Sequence, residues 1–373
     1  MIKKRILKLK ELIKLNNIDG YIIPKNDAYF SEFASSDRLK NISNFSGSAG
    51  YAIVLKKENF LFVDGRYAIQ AKIQSGKYFK IVEIPKFSLK NILTKYKKKL
   101  LLGFDPQLFT SATIKKFNNI CNLLPISENF IDKIYKEKNK IIISPFYNIS
   151  NKITGESVEL KINRLIKKLN FKNIHNIFIS APENVAWLLN LRGKDSPNSP
   201  IPNSKIILTN KKNIFFFSCP KKIYLMKKNK KYKKFKFYIY EDFSKIINKL
   251  KGKNFCIDSS TCSLSNEKTI SSVFKIKLKT DPCYDMKSIK NKYEIKHMIN
   301  AHIKDGLALT KFIFWIKNIN KKKITELKAQ KKLEQFRKLN KNYLFPSFNT
   351  IAGTGSNGAI VHYRANKKSN KVI

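Results

Sequence analysis

The sequence predicts a mixed α/β fold built from more than one domain. Three observations carry that expectation. The chain has 373 residues, enough for two or three domains at ~150 residues each. Hydrophobic residues make up 43% and aromatics 12%, so sizeable cores can form and a wholly disordered chain is excluded. Short apolar runs alternate with helix-period segments, the pattern of layered α/β packing. With 13 Gly and 12 Pro, a low-complexity or collagen-like chain is excluded as well.

The elements follow in order. Ile6, Leu9 and Ile13 recur at helical spacing, so the chain opens on an amphipathic helix. The basic start is no secretory signal on this reading, because Glu11 interrupts it and no apolar core or cleavage site follows. Gly20 stops the helix, and the apolar run to Pro24 reads as a strand. Phe45-Ser46-Gly47-Ser48-Ala49-Gly50 is a small-residue loop before a strand over 51–55. A second strand covers 60–63 and ends at Asp64-Gly65-Arg66, read as a structural turn with a local ion pair. A helix over 68–73 and a strand with its turn over 101–106 complete this block.

Residues 125–155, rich in Lys and Asn and punctuated by Pro125 and Pro145, read as a connection. The rhythm then restarts. A helix is predicted over 157–169, a strand over 176–179, and a helix over 183–191 closed by Gly193. Runs 206–208 and 214–217 read as paired strands, and Phe255-Cys256-Ile257-Asp258 echoes Gly103-Phe104-Asp105. The second block therefore reads as a degenerate copy of the first. Residues 221–240 interleave lysine with Tyr and Phe. Such a pattern can hold single-stranded nucleic acid or can be a strand edge blunted by lysine, and the edge is the preferred reading.

From Ser288 the pattern changes to long helices. Ile295, Ile299, His302, Gly306, Leu309 and Ile313 run along one side of the first, and a second covers 324–339 with Thr325 as its cap. Gly353, Gly355 and Gly358 stud a loop that leads into a strand ending Ala359-Ile360-Val361-His362-Tyr363-Arg364. The glycine spacing matches G-x-G-x-x-G but opens no helix, so a tight turn is the better reading than a dinucleotide site. No run of about eighteen apolar residues exists, so no membrane span is expected.

Charge is the strongest bias. Lys and Arg total 75 against 26 Asp and Glu, a formal net charge of +49. Such a charge favours polyanions. The lysines, however, run from Lys3 to Lys371 without gathering on one element. Abundant Lys, Ile and Asn share AT-rich codons, and genome bias at solvated positions is the preferred explanation, so nucleic acid is not the expected partner. The 5 cysteines contain no C-x-x-C, which offers neither a disulfide framework nor a zinc knuckle and fits a reducing cytoplasm.

The 4 histidines are His175, His297, His302 and His362. They form no H-E-x-x-H, and no D-x-[DN]-x-[DN]-G loop accompanies them. His297 sits among charged residues and reads as solvated, and His302 as packed or capping. His362 follows an apolar run and a Gly-rich approach. A neutral His there can donate to a carbonyl or a developing oxyanion. No G-x-S-x-G marks a serine nucleophile.

Several segments together resemble the aminopeptidase P (Xaa-Pro aminopeptidase) family. The first block carries Asp27, Glu32 and Arg38, then Phe45-Ser46-Gly47-Ser48-Ala49-Gly50, Val63-Asp64-Gly65-Arg66-Tyr67 and Gly103-Phe104-Asp105-Pro106. The second carries Gly155-Glu156-Ser157, Asn184-Val185-Ala186-Trp187 and Leu191-Arg192-Gly193 with Asp195. The third carries Lys287-Ser288-Ile289-Lys290-Asn291, Glu294, Ala301-His302-Ile303-Lys304-Asp305-Gly306, Phe348-Asn349-Thr350-Ile351 and Gly358-Ala359-Ile360-Val361-His362-Tyr363-Arg364. The matches run through nearly the whole chain in family order.

The resemblance implies two creatinase-like α/β domains, at 1–128 and 129–285 with a linker about 129–155, followed by the start of a pita-bread metallopeptidase domain at 286–373. It implies release of the N-terminal residue from peptides with proline second, by a cytoplasmic enzyme that commonly forms a homodimer. The family uses two divalent metal ions, usually manganese. A proline nitrogen has no N–H, so a site shaped for the imide selects it by ring fit and leaves no donor to satisfy. His362 matches the family's first active-site histidine, which contacts substrate rather than metal, and Phe348 matches an aromatic position near the substrate pocket. A prolidase- or creatinase-like hydrolase is disfavoured, because those shorter relatives carry one N-terminal block.

Two departures stand out. Tyr29 occupies a position where the family often has His. The family's metal ligands follow the His-Tyr segment, and this sequence contains none of them, so no residue is assigned as a metal ligand and no metal is expected in this chain alone. The expectation is a family member without the metal-binding part of its catalytic domain, inactive alone. The alternative is a non-catalytic peptide- or nucleic-acid-binding module. An unfinished third domain is also expected to leave residues from about 286 poorly packed.

Overall fold

The computed structural model describes residues 2–31, 36–135, 144–228, 235–320 and 323–373. Glu32 and residues 229–234 of the lysine–aromatic stretch lie outside the described residues. Two six-stranded sheets dominate. The first contains β1 (Gly20–Pro24), β2 (Tyr51–Leu55), β3 (Asn59–Asp64), β4 (Lys80–Ile84), β5 (Leu101–Phe104) and β6 (Asn122–Pro125), in the order β4-β3-β2-β1-β5-β6. β7 (Tyr147–Asn148) pairs with β9 (Leu191–Arg192) in a small two-stranded sheet. The second large sheet contains β8 (Asn176–Ile179), β10 (Lys205–Thr209), β11 (Ile214–Ser218), β12 (Phe235–Ile239), β13 (Asn254–Ile257) and β14 (Lys275–Leu278), in the order β12-β11-β10-β8-β13-β14.

The two sheets have the same topology. In each, the middle three strands pair antiparallel and the outer pairings are parallel. The repeat suspected from sequence is therefore real at the level of fold. Both sheets are covered on both faces, which is why their strands read as continuous apolar runs. In the first, Tyr21, Ala52, Val54, Leu61 and Val63 enter one core, while Ile22, Ile53, Phe60 and Phe62 enter the other. The second divides likewise, with Ile177, Ile206 and Phe216 on one face and Phe178, Ile207 and Phe217 on the other. Period-two alternation sets both divisions.

The opening helix, Ile2–Leu15, buries Ile6, Leu9 and Ile13 as its spacing requires. Phe130 and Ile131 close the same core, so part of the stretch read as a connection is packed structure. The helix predicted over 183–191 is Pro182–Leu188, because the chain leaves it to form β9. β12 is an edge strand, and Phe235 and Phe237 pack on the core beneath it, so the described part of the lysine–aromatic stretch is a blunted edge.

The sheets meet through backbone bonds. Leu264 N–H donates to the Phe109 carbonyl at 2.7 Å and Ser265 N–H to the Pro106 carbonyl at 3.0 Å. Buried Lys205 reaches the Ala28 carbonyl at 2.8 Å. Tyr29, the departure from the family pattern, sits at this joint, its hydroxyl 3.3 Å from the Asn203 carbonyl and its ring edge-on to Tyr240.

Two long helices follow, Lys292–Asn318 and Glu326–Lys338. Asn291 caps the first with a capping box and also donates to the Thr154 carbonyl at 2.8 Å, tying it to the second sheet's layer. Thr325 caps the second, as predicted. The apolar side of the first helix is not covered: Ile295 is 49%, Ile299 55% and Ile303 65% exposed. The strand predicted to end at Arg364 is absent. Residues Gly355–Ala359 form a 3₁₀ turn, and 360–364 continue without strand structure. A strand must satisfy its backbone groups on a neighbour, and among the described residues no strand runs beside this segment.

Candidate functional site

His362 and Tyr363 follow the 3₁₀ turn, and the second anchors the first. Gly355 takes φ +55°, a left-handed conformation that favours glycine and lets the chain turn here. Tyr363 is buried, and its hydroxyl donates to the Glu326 carboxylate at 2.8 Å. Glu326, at the start of its helix, also accepts from the Thr354 N–H at 2.7 Å, the Asn357 amide at 3.0 Å and the Lys371 N–H at 3.1 Å. Burial acts to raise the Glu326 pKa, but these hydrogen bonds outweigh it and hold the carboxyl below the usual glutamate range. One buried carboxylate thus gathers the loop that carries the candidate residues.

His362 points to the first sheet's layer. Its Nδ1 lies 2.6 Å from the Tyr67 hydroxyl, across 295 residues of sequence. Tyr67 also lies 2.8 Å from the Ser48 hydroxyl. Beside them Arg66 forms a bidentate pair with Asp64 at 2.9 and 2.8 Å, the local turn and ion pair that the sequence suggested. That guanidinium holds the Asp64 carboxyl below its usual range, with partial burial opposing it.

Phe348 and His362 line one cleft of ≈ 370 Å³, so the structure brings the two candidate residues together. Its other wall comes from Ser46, Gly47, Ser48 and Tyr67, in the loop and turn flanking β2 and β3. The cleft therefore lies between the first sheet's layer and the C-terminal segment. Phe348 is 49% exposed and offers an apolar face, while His362 offers a hydrogen-bonding ring. His302 and His297 are exposed on the long helix, and His302 is hydrogen-bonded to the Met298 carbonyl of its own helix.

Sequence reasoning missed Tyr67, Ser48 and Glu326 as parts of the site. Tyr67 and Ser48 stood in quoted motifs, but nothing in residue type signals that a side chain will meet one 295 positions away.

Family profiles match the chain in series. The creatinase/prolidase N-terminal domain matches residues 5–134, a second profile of that domain matches 136–294, and metallopeptidase family M24 matches 296–372. The probable Xaa-Pro aminopeptidase P of Paracoccidioides brasiliensis (strain Pb03) is 33% identical over 405 residues, 99% of this chain and 64% of that protein. The chain belongs to the aminopeptidase P family. A second family member, the probable Xaa-Pro aminopeptidase P of Colletotrichum graminicola, is 30% identical over 407 residues, again 64% of its own length. The chain thus spans about two thirds of the length of the curated relatives it matches. The X-prolyl aminopeptidase of Caenorhabditis elegans, described as a cytosolic enzyme with a di-nuclear active site, shares the fold at a TM-score of 0.87. That match has 24% identity and covers 100% of this chain and 66% of that one.

The family implies a metal centre, and the described side chains do not supply one. Among the described residues no three His, Cys, Asp or Glu side chains converge as a metal-binding group. No helix among the described residues is long and apolar enough to cross a membrane.

Proposed function

We propose that this chain forms the substrate-facing framework of an Xaa-Pro aminopeptidase. The observation that carries the reading is the shared cleft of Phe348 and His362, in a chain whose family profiles run in series from residue 5 to 372. The ligand class is a peptide with proline second. Phe348 packs its ring, and His362 donates to the carbonyl that precedes proline. The chain reads as three units divided near residues 128 and 285, cytoplasmic and homodimeric, with nucleic acid outside its partners.

In the family reading two manganese ions supply the hydrolytic chemistry. The residues described here shape, orient and exclude; they do not hold those ions. The 373-residue chain alone is therefore inactive in this proposal. The test is release of the first residue from an Xaa-Pro peptide by the purified chain with added manganese. No release above background is expected. Manganese-dependent release, lost on chelation, would overturn the inactive-alone reading.

A further inference from the structure

We infer that Tyr67, contributed by the first sheet's layer, is a positioning residue for His362. It fixes the neutral imidazole as the tautomer with its proton on Nε2. The inference rests on the reading of His362 as substrate-facing and adds what sets its hydrogen-bonding sense.

The geometry is a three-member relay of hydrogen bonds. Ser48 Oγ lies 2.8 Å from the Tyr67 hydroxyl, which lies 2.6 Å from His362 Nδ1. A phenol has one proton to give, and a neutral imidazole has one acceptor nitrogen. The direction we infer has the Ser48 hydroxyl donating to the phenol oxygen and the phenol proton pointing at Nδ1. The imidazole proton must then sit on Nε2. Among the described residues no protein group is hydrogen-bonded to Nε2, and His362 lines the cleft. An Nε2–H facing the cleft suits a carbonyl oxygen or a developing oxyanion, whereas a bare Nε2 would repel both.

The seat of Tyr67 is built to hold this direction. Tyr67 is 1% exposed. Its ring stands edge-on to Phe45 at 5.7 Å and 88°, and to the His362 ring at 5.1 Å and 87°. Gly47 leaves room for it, since a Cβ there would meet Tyr67 Cδ1 at 2.7 Å. The contact spans 295 residues, so docking of the C-terminal segment on the first layer is what sets the histidine's tautomer. A purely structural Tyr67 would need its ring, not its hydroxyl.

The test is ¹⁵N NMR of the full chain, tractable because it has only 4 histidines. His362 is assigned by loss of its signals in His362→Gln. In the wild type, Nδ1 is expected to resonate as an unprotonated acceptor and Nε2 as a protonated donor. Tyr67→Phe keeps the ring and its packing. It is expected to lower the tautomer ratio about five-fold, the effect of losing one ordinary hydrogen bond. Ser48→Ala is expected to move the ratio less, in the same direction. A protonated Nδ1 in the neutral wild-type ring would overturn the inference without any variant, as would an unchanged ratio in folded Tyr67→Phe. Adding the tripeptide Ala-Pro-Ala separates the two claims. An unperturbed Nε2 would count against the substrate-facing reading, while the free-chain tautomer alone decides the role of Tyr67.

Discussion

Tyr363 and Glu326 are joined inside the C-terminal segment by a 2.8 Å hydrogen bond, and both side chains are buried. Through Tyr363 this bond places the neighbouring His362 on the cleft wall. Replacing Glu326 by Ala leaves the Thr354 and Lys371 N–H groups without their acceptor and takes one from the Tyr363 hydroxyl and the Asn357 amide, which keep the Ser369 carbonyl at 2.9 and 2.8 Å. A loss of about 2 kcal/mol in the local stability of residues 354–371 is expected, read by hydrogen exchange in that segment. Unchanged exchange would contradict the anchoring role.

Glu326 also makes this segment acid-sensitive. Its carboxyl is held below the ordinary value of 4.5, so the folded segment binds that proton less readily than the unfolded one. The stabilisation is complete above that ordinary value and is lost as pH falls through the lowered one. The protection of residues 354–371 against hydrogen exchange, taken relative to the intrinsic rate at each pH, is expected to fall as pH drops below that ordinary value, and Glu326→Gln should flatten that dependence.

Lys205 makes the opposite, alkaline-side contribution at the joint of the two sheets. Burial pushes its pKa down to about 8, against the pull of nearby Cys262 and Asp27. Between that value and the ordinary 10.5 the unfolded chain holds a proton that the folded one has released. Stability from this group therefore rises with pH through that window, by ~3 kcal/mol in full. Urea unfolding at pH 7 and pH 10 should show a wild-type gain that Lys205→Met lacks. Equal pH dependence in both proteins would contradict it.

Asp195 and Lys222 form a nearly buried ion pair at 2.7 Å. Lys222 also donates to the Ser144 carbonyl and lies over the Phe146 ring. Removing Asp195 strands the ammonium. Asp195→Ala is expected to cost ~3 kcal/mol in urea unfolding, far more than the exposed Arg66–Asp64 pair would.

The long helix Lys292–Asn318 carries Ile295, Ile299 and Ile303 on an uncovered side, with Ala308 its one buried residue among those described. Its amides are expected to exchange faster than those of β1 and β8. Protection equal to the sheets would show that the segment is held by more than the contacts seen here.

Much of the fold was legible in the sequence because both large sheets are buried on two faces. Ile206-Ile207-Leu208 and Ile214-Phe215-Phe216-Phe217 read as paired strands, and they do pair antiparallel within the second sheet. The segment at 359–364 was misread because strand periodicity says nothing about whether a neighbour exists to complete the ladder. Phe348 and His362 were expected at the site through family likeness, and the two line one cleft. Tyr67 and Glu326 were not. Their importance lies in contacts with His362 and Tyr363, and residue type carries no trace of a partner so distant in sequence.

The most direct test of the account is calorimetric titration of the 373-residue chain with Ala-Pro-Ala and with Ala-Ala-Ala. The proposal predicts saturable binding of the proline peptide, at least about ten-fold tighter than its alanine counterpart and weakened by Phe348→Ala by ~1.4 kcal/mol or more. Equal binding of the two peptides, or binding that ignores both Phe348→Ala and His362→Ala, would contradict it.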